Sequence, residues 1–397
     1  MKKIKFALYE YDTENIGDEV QSIAARQFLP RVDYYINRDI PNKSKFSDNE
    51  EVKVIANGWY MHKPQNWPLT LKATRPLLVS MHIDQKELKT TKAFSSQESK
   101  AFINDNGRIG ARDMATLAFL KNQNIDAYFS GCLTLTMKRD NRYKREDFIL
   151  LVDVSKKVED TIRARTKRPI VVLSVYRTPN MSREDKFMLA EYYLYLYQSA
   201  HAVVTTRLHV MLPSLAFETP VVLIKEEGKF EAERYEGLAE LVRSFEESEF
   251  IDNPSLFDVD NPPRNSTKYL KIRASLTSKC REYTGFEADS YMTIDLSTLY
   301  ANHSLARLLG NGCAATYREL LLLGDVKWAK TVEMDTARVI RTQERVIGTQ
   351  ERDIEKFQEE IIKLRGSIKR MESSMSWRVT SPIRYLKRFT IKSERTR

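Results

Sequence analysis

The sequence predicts a two-domain α/β protein followed by a coiled coil. The chain has 397 residues, too many for one ordinary hydrophobic core. Apolar strand-like runs alternate with polar loops and helix-length segments, and isoleucines later recur every seven residues. These patterns divide the chain into two α/β domains, a helical region, a coiled coil and a basic amphipathic tail, over residues 1–140, 141–260, 261–330, 331–375 and 376–397.

The first domain begins with a strand over Lys3–Tyr9 and a polar loop, Asn15-Ile16-Gly17-Asp18. A helix should follow from about Glu19 to Phe28. The next strands are predicted over Glu51–Ala56, which leads into Asn57-Gly58-Trp59-Tyr60, and over Pro76–Ile83, which contains His82.

The end of the first domain carries an Arg-Asp pair at a predicted strand-to-helix junction. Residues 109–111 read as the end of a strand, Arg112-Asp113 open a helix, and a last strand is predicted over Ala127–Thr136. Arg112 is either a surface charge at the helix start or a ligand residue. A cation there opposes the macrodipole unless an anion meets it, which favours the ligand role.

The second domain follows a charged linker over residues 138–146. Strands are predicted over Phe148–Val152 and Pro169–Val175, and a Tyr-rich helix over Glu184–Tyr197. The stretch Ala202–Ile224 then reads as strand, turn, helix and strand, which is a βαβ unit. Ligands of α/β proteins bind at the carboxyl edge of the sheet. Thr206, Arg207 and His209 should lie in the loop at that edge.

Two further features of this domain carry predictions. Pro213 falls inside the helix after His209 and should kink it. The polar segment Gly228–Leu238, which contains Arg234, either crosses a cleft or is simply solvated. Asn261-Pro262-Pro263 then breaks the chain before a helix over Thr267–Gly285.

Composition and charge exclude several protein classes. There is no apolar run long enough to span a membrane and no signal peptide, so we expect a cytoplasmic protein. Cys132, Cys280 and Cys313 lack metal-ligand spacing and are expected to be reduced. The net charge of +10 is concentrated in Ser376–Arg397, which holds seven cations and one Glu, and no nucleic-acid motif accompanies it.

The heptad repeat favours self-association, with a helix folded back on the body as the alternative. The repeating positions are Ile340, Ile347, Ile354, Ile361, Ile368 and Met375, with Phe357, Leu364 and Met371 on the second seam. The tail interleaves aromatic and basic residues, which suits either an anionic membrane surface or a disordered basic segment.

Together these motifs resemble the polysaccharide pyruvyl transferase family over roughly the first 240 residues. The family's Asn-x-Gly-Asp, Arg-Asp and Arg-Leu-His patterns correspond to Asn15–Asp18, Arg112-Asp113 and Arg207–His209, the last followed by Pro220-Val221. A bacterial subgroup with Asn-Gly-Trp, Ser-x-His-Ile and Ser-Gly-Cys-Leu-Thr-Leu-Thr is more similar still, at residues 57–59, 80–83 and 130–136. Many family members have a glycine-rich run where this chain has Asn57–Tyr60.

The resemblance implies two Rossmann-like domains arranged as in B-type glycosyltransferases, with the active cleft between the sheets. It also implies transfer of the pyruvyl group of phosphoenolpyruvate to two sugar hydroxyls of a cell-surface polysaccharide or its precursor. The product is a cyclic ketal, phosphate is released, and no cofactor or metal is expected. Cations should clamp the carboxylate and phosphate while an acid protonates C3.

The expected site follows from that chemistry. His209, Arg207 and Arg112 are expected to be catalytic. The expected substrate-binding residues are Asn15, Gly17, Asp18, Asn57, Gly58, His82, Asp113, Thr206 and Arg234.

Two other functions remain open from the sequence. One is a glycosyltransferase that uses a nucleotide sugar in the same cleft, with residues 229–235 holding the diphosphate. The other is an inactive scaffold that assembles a polysaccharide-synthesis complex through the coiled coil and tail. Expected partners are phosphoenolpyruvate, a saccharide acceptor, further copies of the chain and an anionic membrane surface.

Overall fold

The computed structural model describes residues 2–60, 62–69, 71, 73–177, 181–288, 356, 358, 359 and 361–367. Residues 1–329 and 330–397 form separate compact units. Within the described residues, no helix is both long and apolar enough to cross a membrane.

The first unit contains two parallel sheets, the first with six strands. Its strands are β1 (Lys3–Glu10), β2 (Tyr34–Asn37), β3 (Glu50–Trp59), β4 (Thr74–His82), β5 (Ile109–Ala111) and β6 (Ala127–Phe129). They lie in the order β2-β1-β3-β4-β5-β6, and every pairing is parallel. The middle of β1 and most of β3 and β4 are buried, as expected for strands covered on both faces.

The second sheet is also fully parallel. Its strands are β7 (Ile149–Val152), β8 (Ile170–Leu173), β9 (Ala202–Thr205), β10 (Val221–Lys225) and β11 (Arg243–Glu246). Their order is β11-β10-β9-β7-β8. The prediction of two α/β domains is therefore confirmed.

Ten helices connect and cover these strands in the described part of the unit. They are α1 (Gly17–Arg26), α2 (Leu88–Ser95), α3 (Gln97–Asn106), α4 (Met114–Asn122), α5 (Lys156–Arg163), α6 (Arg183–Ser199), α7 (Leu208–Ala216), α8 (Ala232–Tyr235), α9 (Glu247–Asp252) and α10 (Tyr269–Thr284). Several begin at a side-chain cap. Asp113, for example, accepts the backbone N–H of Thr116 and so satisfies one of the open donors of α4.

The two sheets share one apolar core. Its buried members include Leu8 and Val20 from the first half and Tyr197 and Leu212 from the second. Helix α10 joins the halves at Arg273, which donates to the carbonyls of residues 135 and 137 and, at 2.6 Å, to that of Ala216. Burial of apolar surface and satisfied carbonyls thus hold the two sheets in one unit.

Two strand predictions were wrong at their ends. β3 continues through Trp59, because a bulge between Ala56 and Gly58 keeps the chain in the sheet. Gly58 has φ +120°, a conformation that favours glycine. The predicted strand over Ala127–Thr136 stops at Phe129, and Leu133–Thr136 forms a 3-10 turn instead.

Two other predictions agree with the structure. Cys132 and Cys280 are buried thiols, and the helix predicted over Thr267–Gly285 is α10. Residues 356, 358, 359 and 361–367 of the second unit are helical. Cys313, the rest of the predicted coiled coil and the basic tail lie outside the described residues.

Candidate functional site

Each sheet has one place where its strand order reverses, and a cavity lies beyond the strand ends there. In the first sheet the chain moves from β1 to β2 on one side and to β3 on the other. Ligands of open α/β sheets bind at such switch points. The first cavity, of about 470 Å³, is lined by Asp12, Thr13, Glu14, Asn15, Asp18, Gln21, Asp39, Trp59, His62, Lys63, Arg112, Tyr176, His209 and Arg234.

The second cavity lies at the switch point of the second sheet, between β7 and β9. Its volume is about 550 Å³, and it is lined by Asp153, Val154, Ser155, Tyr176, Thr206, Arg207, Ile224, Glu226, Lys229, Phe230, Glu231, Arg234 and Tyr235. Asp153, Arg207 and Glu226 follow β7, β9 and β10, so the carboxyl edge of this sheet supplies its floor.

Tyr176 and Arg234 line both cavities, which are therefore neighbours. Tyr176 lies where the loop after β8 pairs with the loop after β1: Ile16 donates to the Val175 carbonyl at 2.9 Å and Arg177 to that of Glu14 at 2.9 Å. These hydrogen bonds cross from one half of the unit to the other.

Arg234 comes from the polar segment after β10. Its guanidinium lies 4.6 Å from the centre of the Trp59 ring in the first half, and it donates to Glu231 at 2.6 Å. The backbone N–H of Met114 donates to the Glu236 carbonyl at 3.0 Å. The segment predicted either to cross a cleft or to be solvated therefore crosses to the first half.

Arg112 is a fully buried cation at the first cavity. Its side chain follows β5, and its Nε lies 3.4 Å from the Asp113 carboxylate. Neither Nε nor Nη2 has a hydrogen-bond partner among the described residues. Burial lowers the pKa of Arg112 although Asp113 opposes this, and a guanidinium still keeps its charge at neutral pH. Both N–H groups can donate to an anion bound in the cavity.

His209 lines the same cavity from the second half. Gly17 packs against it so closely that a Cβ on Gly17 would lie 3.1 Å from His209 Nδ1 and 2.9 Å from Asn15 Oδ1. The His209 Nε2 atom is buried and has no hydrogen-bond partner among the described residues. Burial lowers the pKa of His209 to about 3, Arg112 adds to the effect, and Asp18 opposes it. The imidazole is therefore neutral at physiological pH.

The expectation that His209 lies in a loop was wrong, because α7 begins at Leu208 and His209 is in its first turn. The kink predicted from Pro213 is confirmed: His209 has φ −84° and ψ 15° within the helix. Pro213 has no N–H, and its missing donor would have met the carbonyl of the residue four positions earlier, His209. The proline therefore sets the backbone of the histidine.

Arg207 lines the second cavity and not the first. Its Nε donates to the Asp153 carboxylate at 2.8 Å, and its guanidinium lies 5.1 Å from the centre of the Tyr176 ring. Arg207 caps α7 and His209 is two positions later, and residues two apart on a helix do not face each other. The sequence expectation joined Arg207, Arg112 and His209, and the geometry separates Arg207 from the other two.

His82 and Asp113 form a buried pair beside Arg112. The His82 Nδ1 lies 2.6 Å from Asp113 Oδ2, while Thr116 N–H donates to Oδ1 at 2.9 Å. Burial alone would raise the pKa of Asp113, but the His82 hydrogen bond and Arg112 lower it. Burial and Arg112 lower the pKa of His82 to about 4, with Asp113 opposing. A neutral His82 thus donates from Nδ1 and keeps Nε2 as an acceptor.

Asp18 lines the first cavity with its carboxylate already engaged. It accepts from Thr13 at 2.6 Å, from Gln21 at 3.2 Å and from Arg38 at 3.1 Å. Burial alone would raise its pKa, yet Arg38 and Thr13 lower it on balance. Asp18 is therefore charged, and it lines the first cavity together with His209.

Of the other predicted residues, some line one of the two cavities and others line neither. Asn15 lines the first cavity, and Thr206 lines the second, where its hydroxyl donates to the Asp153 carbonyl at 2.9 Å. Gly17, Asn57, Gly58, His82 and Asp113 line neither cavity. Asn57 instead donates to the Gln21 carbonyl of α1 at 3.1 Å.

Sequence reasoning missed Asp153 and Tyr176, which complete the second cavity. Both follow predicted strands, so the rule that picked Arg207, a polar residue just after an apolar strand, would also have found them. Among the described residues, no group of three or more His, Cys, Asp or Glu side chains is arranged to hold a metal ion.

The family model described as polysaccharide pyruvyl transferase matches residues 15–227. No curated protein matched the chain. Similar solved structures include the uncharacterised protein KP1_0663 of Klebsiella pneumoniae, with 14% identity over 58% of this chain and 87% of that one and a TM-score of 0.35. The UDP-GlcNAc 2-epimerase of Methanocaldococcus jannaschii is 10% identical over 69% of this chain and 99% of the epimerase chain, with a TM-score of 0.36. The wall teichoic acid polymerase TagF is 9% identical over 77% of this chain and 89% of the TagF chain, with a TM-score of 0.33. All three TM-scores are below 0.5.

Proposed function

The chain belongs to the polysaccharide pyruvyl transferase family, and on that premise we propose that it transfers the pyruvyl group of phosphoenolpyruvate to a saccharide. The family makes the chain a transferase that acts in polysaccharide modification. The donor and the ketal product are our proposal. In the proposed reaction C3 gains a proton, two sugar oxygens bond to C2, and the bond from C2 to the phosphate oxygen breaks. The second hydroxyl proton leaves with the phosphate.

The observation that carries this proposal is Arg112. Its buried guanidinium offers Nε and Nη2, without hydrogen-bond partners among the described residues, at the wall of the first cavity. A planar fork of this kind suits a carboxylate or phosphate bound through two parallel hydrogen bonds. Phosphoenolpyruvate carries both groups on three carbons, and Lys63 and Arg234 are further cations in the lining of this cavity.

His209 supplies the second element of the proposal, an acid for C3. Its neutral imidazole gains a proton only when an anion neutralises Arg112 and adds negative charge nearby. Donor binding would thus raise the pKa of His209 and make the acid competent in the complex. General acid catalysis of this kind contributes about 10²- to 10⁴-fold in rate.

The test is phosphate release from phosphoenolpyruvate. We expect release that requires both phosphoenolpyruvate and one member of a panel of galactosides, glucosides and N-acetylhexosaminides, with a product that returns pyruvate in mild acid. An inactive scaffold would release no phosphate with any acceptor. Consumption of a nucleotide sugar with phosphoenolpyruvate left intact would identify a glycosyltransferase and refute the proposal.

We also propose, from the sequence alone, that the heptads over residues 331–375 join copies of the chain and that the basic tail binds the inner face of an anionic membrane. Light scattering of the full chain and of a chain ending at Trp328 tests the first proposal, and a monomeric full chain refutes it. Flotation with anionic vesicles tests the second, and binding that ignores lipid charge refutes it.

A further inference from the structure

The second cavity has balanced charges, and each of its cations is paired within it. The three pairs are Arg207 with Asp153 at 2.8 Å, Lys229 with Glu226 at 2.5 Å and Arg234 with Glu231 at 2.6 Å. All six side chains line the cavity. A diphosphate or other polyanion would have to displace these carboxylates from their cations, at a cost in electrostatic energy. The lining therefore disfavours a strongly charged ligand.

Paired carboxylates and guanidinium groups suit hydroxyl-rich ligands. A sugar hydroxyl both donates and accepts, so it can donate to a carboxylate and accept from a neighbouring guanidinium at the same time. Asp153 meets its protein donors, Arg207 Nε and Val175 N–H, through Oδ2. Among the described residues no side chain or backbone N–H donates to Oδ1, which can therefore accept from a ligand.

Aromatic rings complete the lining. Tyr176 is 55% exposed, and the Arg207 guanidinium lies 5.1 Å from the centre of its ring. Phe230 and Tyr235 form a second aromatic pair at the cavity, with ring centres 4.7 Å apart. An exposed amphipathic ring beside hydrogen-bonding groups gives the apolar C–H face of a sugar a surface to pack on.

The location fits the role of an acceptor site. The cavity lies at the topological switch point of the second sheet, and its volume of about 550 Å³ falls in the range of small-molecule sites. Asp153, on its floor, has φ +51°, a strained backbone conformation of the kind that clusters at ligand sites. Tyr176 and Arg234 form its common wall with the first cavity.

We propose that the second cavity binds uncharged sugar rings and holds the acceptor saccharide while the donor lies against Arg112. The sugar-binding part stands on the lining alone, whereas the acceptor role rests on the proposed function. Arg207 is then a residue for the acceptor, held by Asp153, and Arg234 lies where donor and acceptor meet.

The experiment is saturation-transfer NMR on the full chain with methyl β-galactoside, methyl β-glucoside and methyl β-N-acetylglucosaminide, and calorimetry with inorganic pyrophosphate. We expect at least one glycoside to bind. Pyrophosphate is titrated into Arg112→Met, which lacks the proposed anion site of the first cavity, and should bind that variant more weakly than the glycoside does. Asp153→Asn and Glu226→Gln should each raise the glycoside Kd at least tenfold, since each removes a charged acceptor. Asp153→Asn should also strengthen pyrophosphate binding, because Arg207 loses its carboxylate.

Arg112→Met is the matched control in the other cavity and should leave the glycoside Kd within twofold. Thermal melting checks that each variant is folded. If Asp153→Asn does not fold, Glu226→Gln alone tests the glycoside Kd, because its partner Lys229 lies on the surface. Absence of glycoside binding, glycoside binding that neither second-cavity variant weakens, or tighter binding of pyrophosphate than of the glycoside by Arg112→Met would overturn the inference. Glycoside binding without any phosphoenolpyruvate binding would keep it and refute the proposed donor instead.

Discussion

Replacing Arg112 with methionine should remove donor binding and leave the protein folded. The side chain is completely buried, and its Nε and Nη2 atoms have no hydrogen-bond partners among the described residues. If both donate to the donor's carboxylate or phosphate, each charge-assisted bond contributes about 1.5–3 kcal/mol. The two together contribute about 3–6 kcal/mol, which corresponds to a loss of about 10²- to 10⁴-fold in affinity.

The substitution should also lower stability. Arg112 Nε lies 3.4 Å from the buried Asp113 carboxylate, and removing one partner of a buried ion pair costs about 3–5 kcal/mol, because the other charge stays buried. Burial of the Arg112 cation, which lowers its pKa, and the hydrogen bond that Asp113 keeps to His82 both reduce this cost. We therefore expect Arg112→Met to unfold at a lower urea concentration than the wild type.

Calorimetric titration with phosphoenolpyruvate, paired with urea unfolding, measures both quantities. Arg112→Lys should recover part of the affinity, because the ammonium keeps the charge and loses the planar fork. Arg108→Met is the matched control, since Arg108 lies at the opposite end of β5, on the surface, and pairs with the exposed Asp126. A donor Kd for Arg112→Met within threefold of the wild type would refute the reasoning, as would an equal loss in Arg108→Met.

Three further predictions concern His209, Gly17 and Glu19. Burial and Arg112 lower the pKa of His209 to about 3 in the free protein, so donor binding that protonates His209 should take up about one proton, and donor affinity should fall as pH rises. Calorimetry in buffers of different ionisation enthalpy measures this uptake, which should be lost in His209→Asn, and kcat of that variant should be lower by about 10²- to 10⁴-fold. Gly17→Ala, whose Cβ would lie 3.1 Å from His209 Nδ1, should lower kcat at least tenfold, whereas Gly366→Ala, whose Cβ meets nothing within 4 Å, should not. Burial raises the pKa of Glu19 to about 8, so the stability it contributes is complete below its unfolded pKa and is lost as pH rises through 8. Urea unfolding at pH 5 and pH 8 measures the difference in unfolding free energy, of which Glu19→Gln should remove up to about 4 kcal/mol; an unchanged difference would contradict the raised pKa of Glu19.

The sequence was sufficient for the central βαβ unit and for its neighbours. The β-branched runs on either side of α7 are buried on both faces of a parallel sheet, and such strands produce a clear apolar signal. Pro213 predicted the kink at His209 for a local steric reason. Local chemistry of this kind depends on few residues and can be predicted from one chain.

The division of the site between two cavities depended on tertiary structure. Arg207 and Arg112 are far apart in sequence, and no local pattern tells which sheet edge each will face. Helix geometry does separate Arg207 from His209, which are two residues apart at the start of α7. The bulge that carries β3 through Trp59 also has no single-chain signal beyond Gly58, because it arises from the register with β4.

A crystal of the full chain soaked with phosphoenolpyruvate tests the central claim most directly. We predict that the donor lies in the first cavity, with one of its anionic groups within hydrogen-bond distance of both Arg112 Nε and Nη2 and with C3 facing His209 Nε2. Arg207 should remain on Asp153, outside the donor's contacts. A donor bound to Arg207 in the second cavity, or bound in the first cavity without contact to Arg112, would contradict the account.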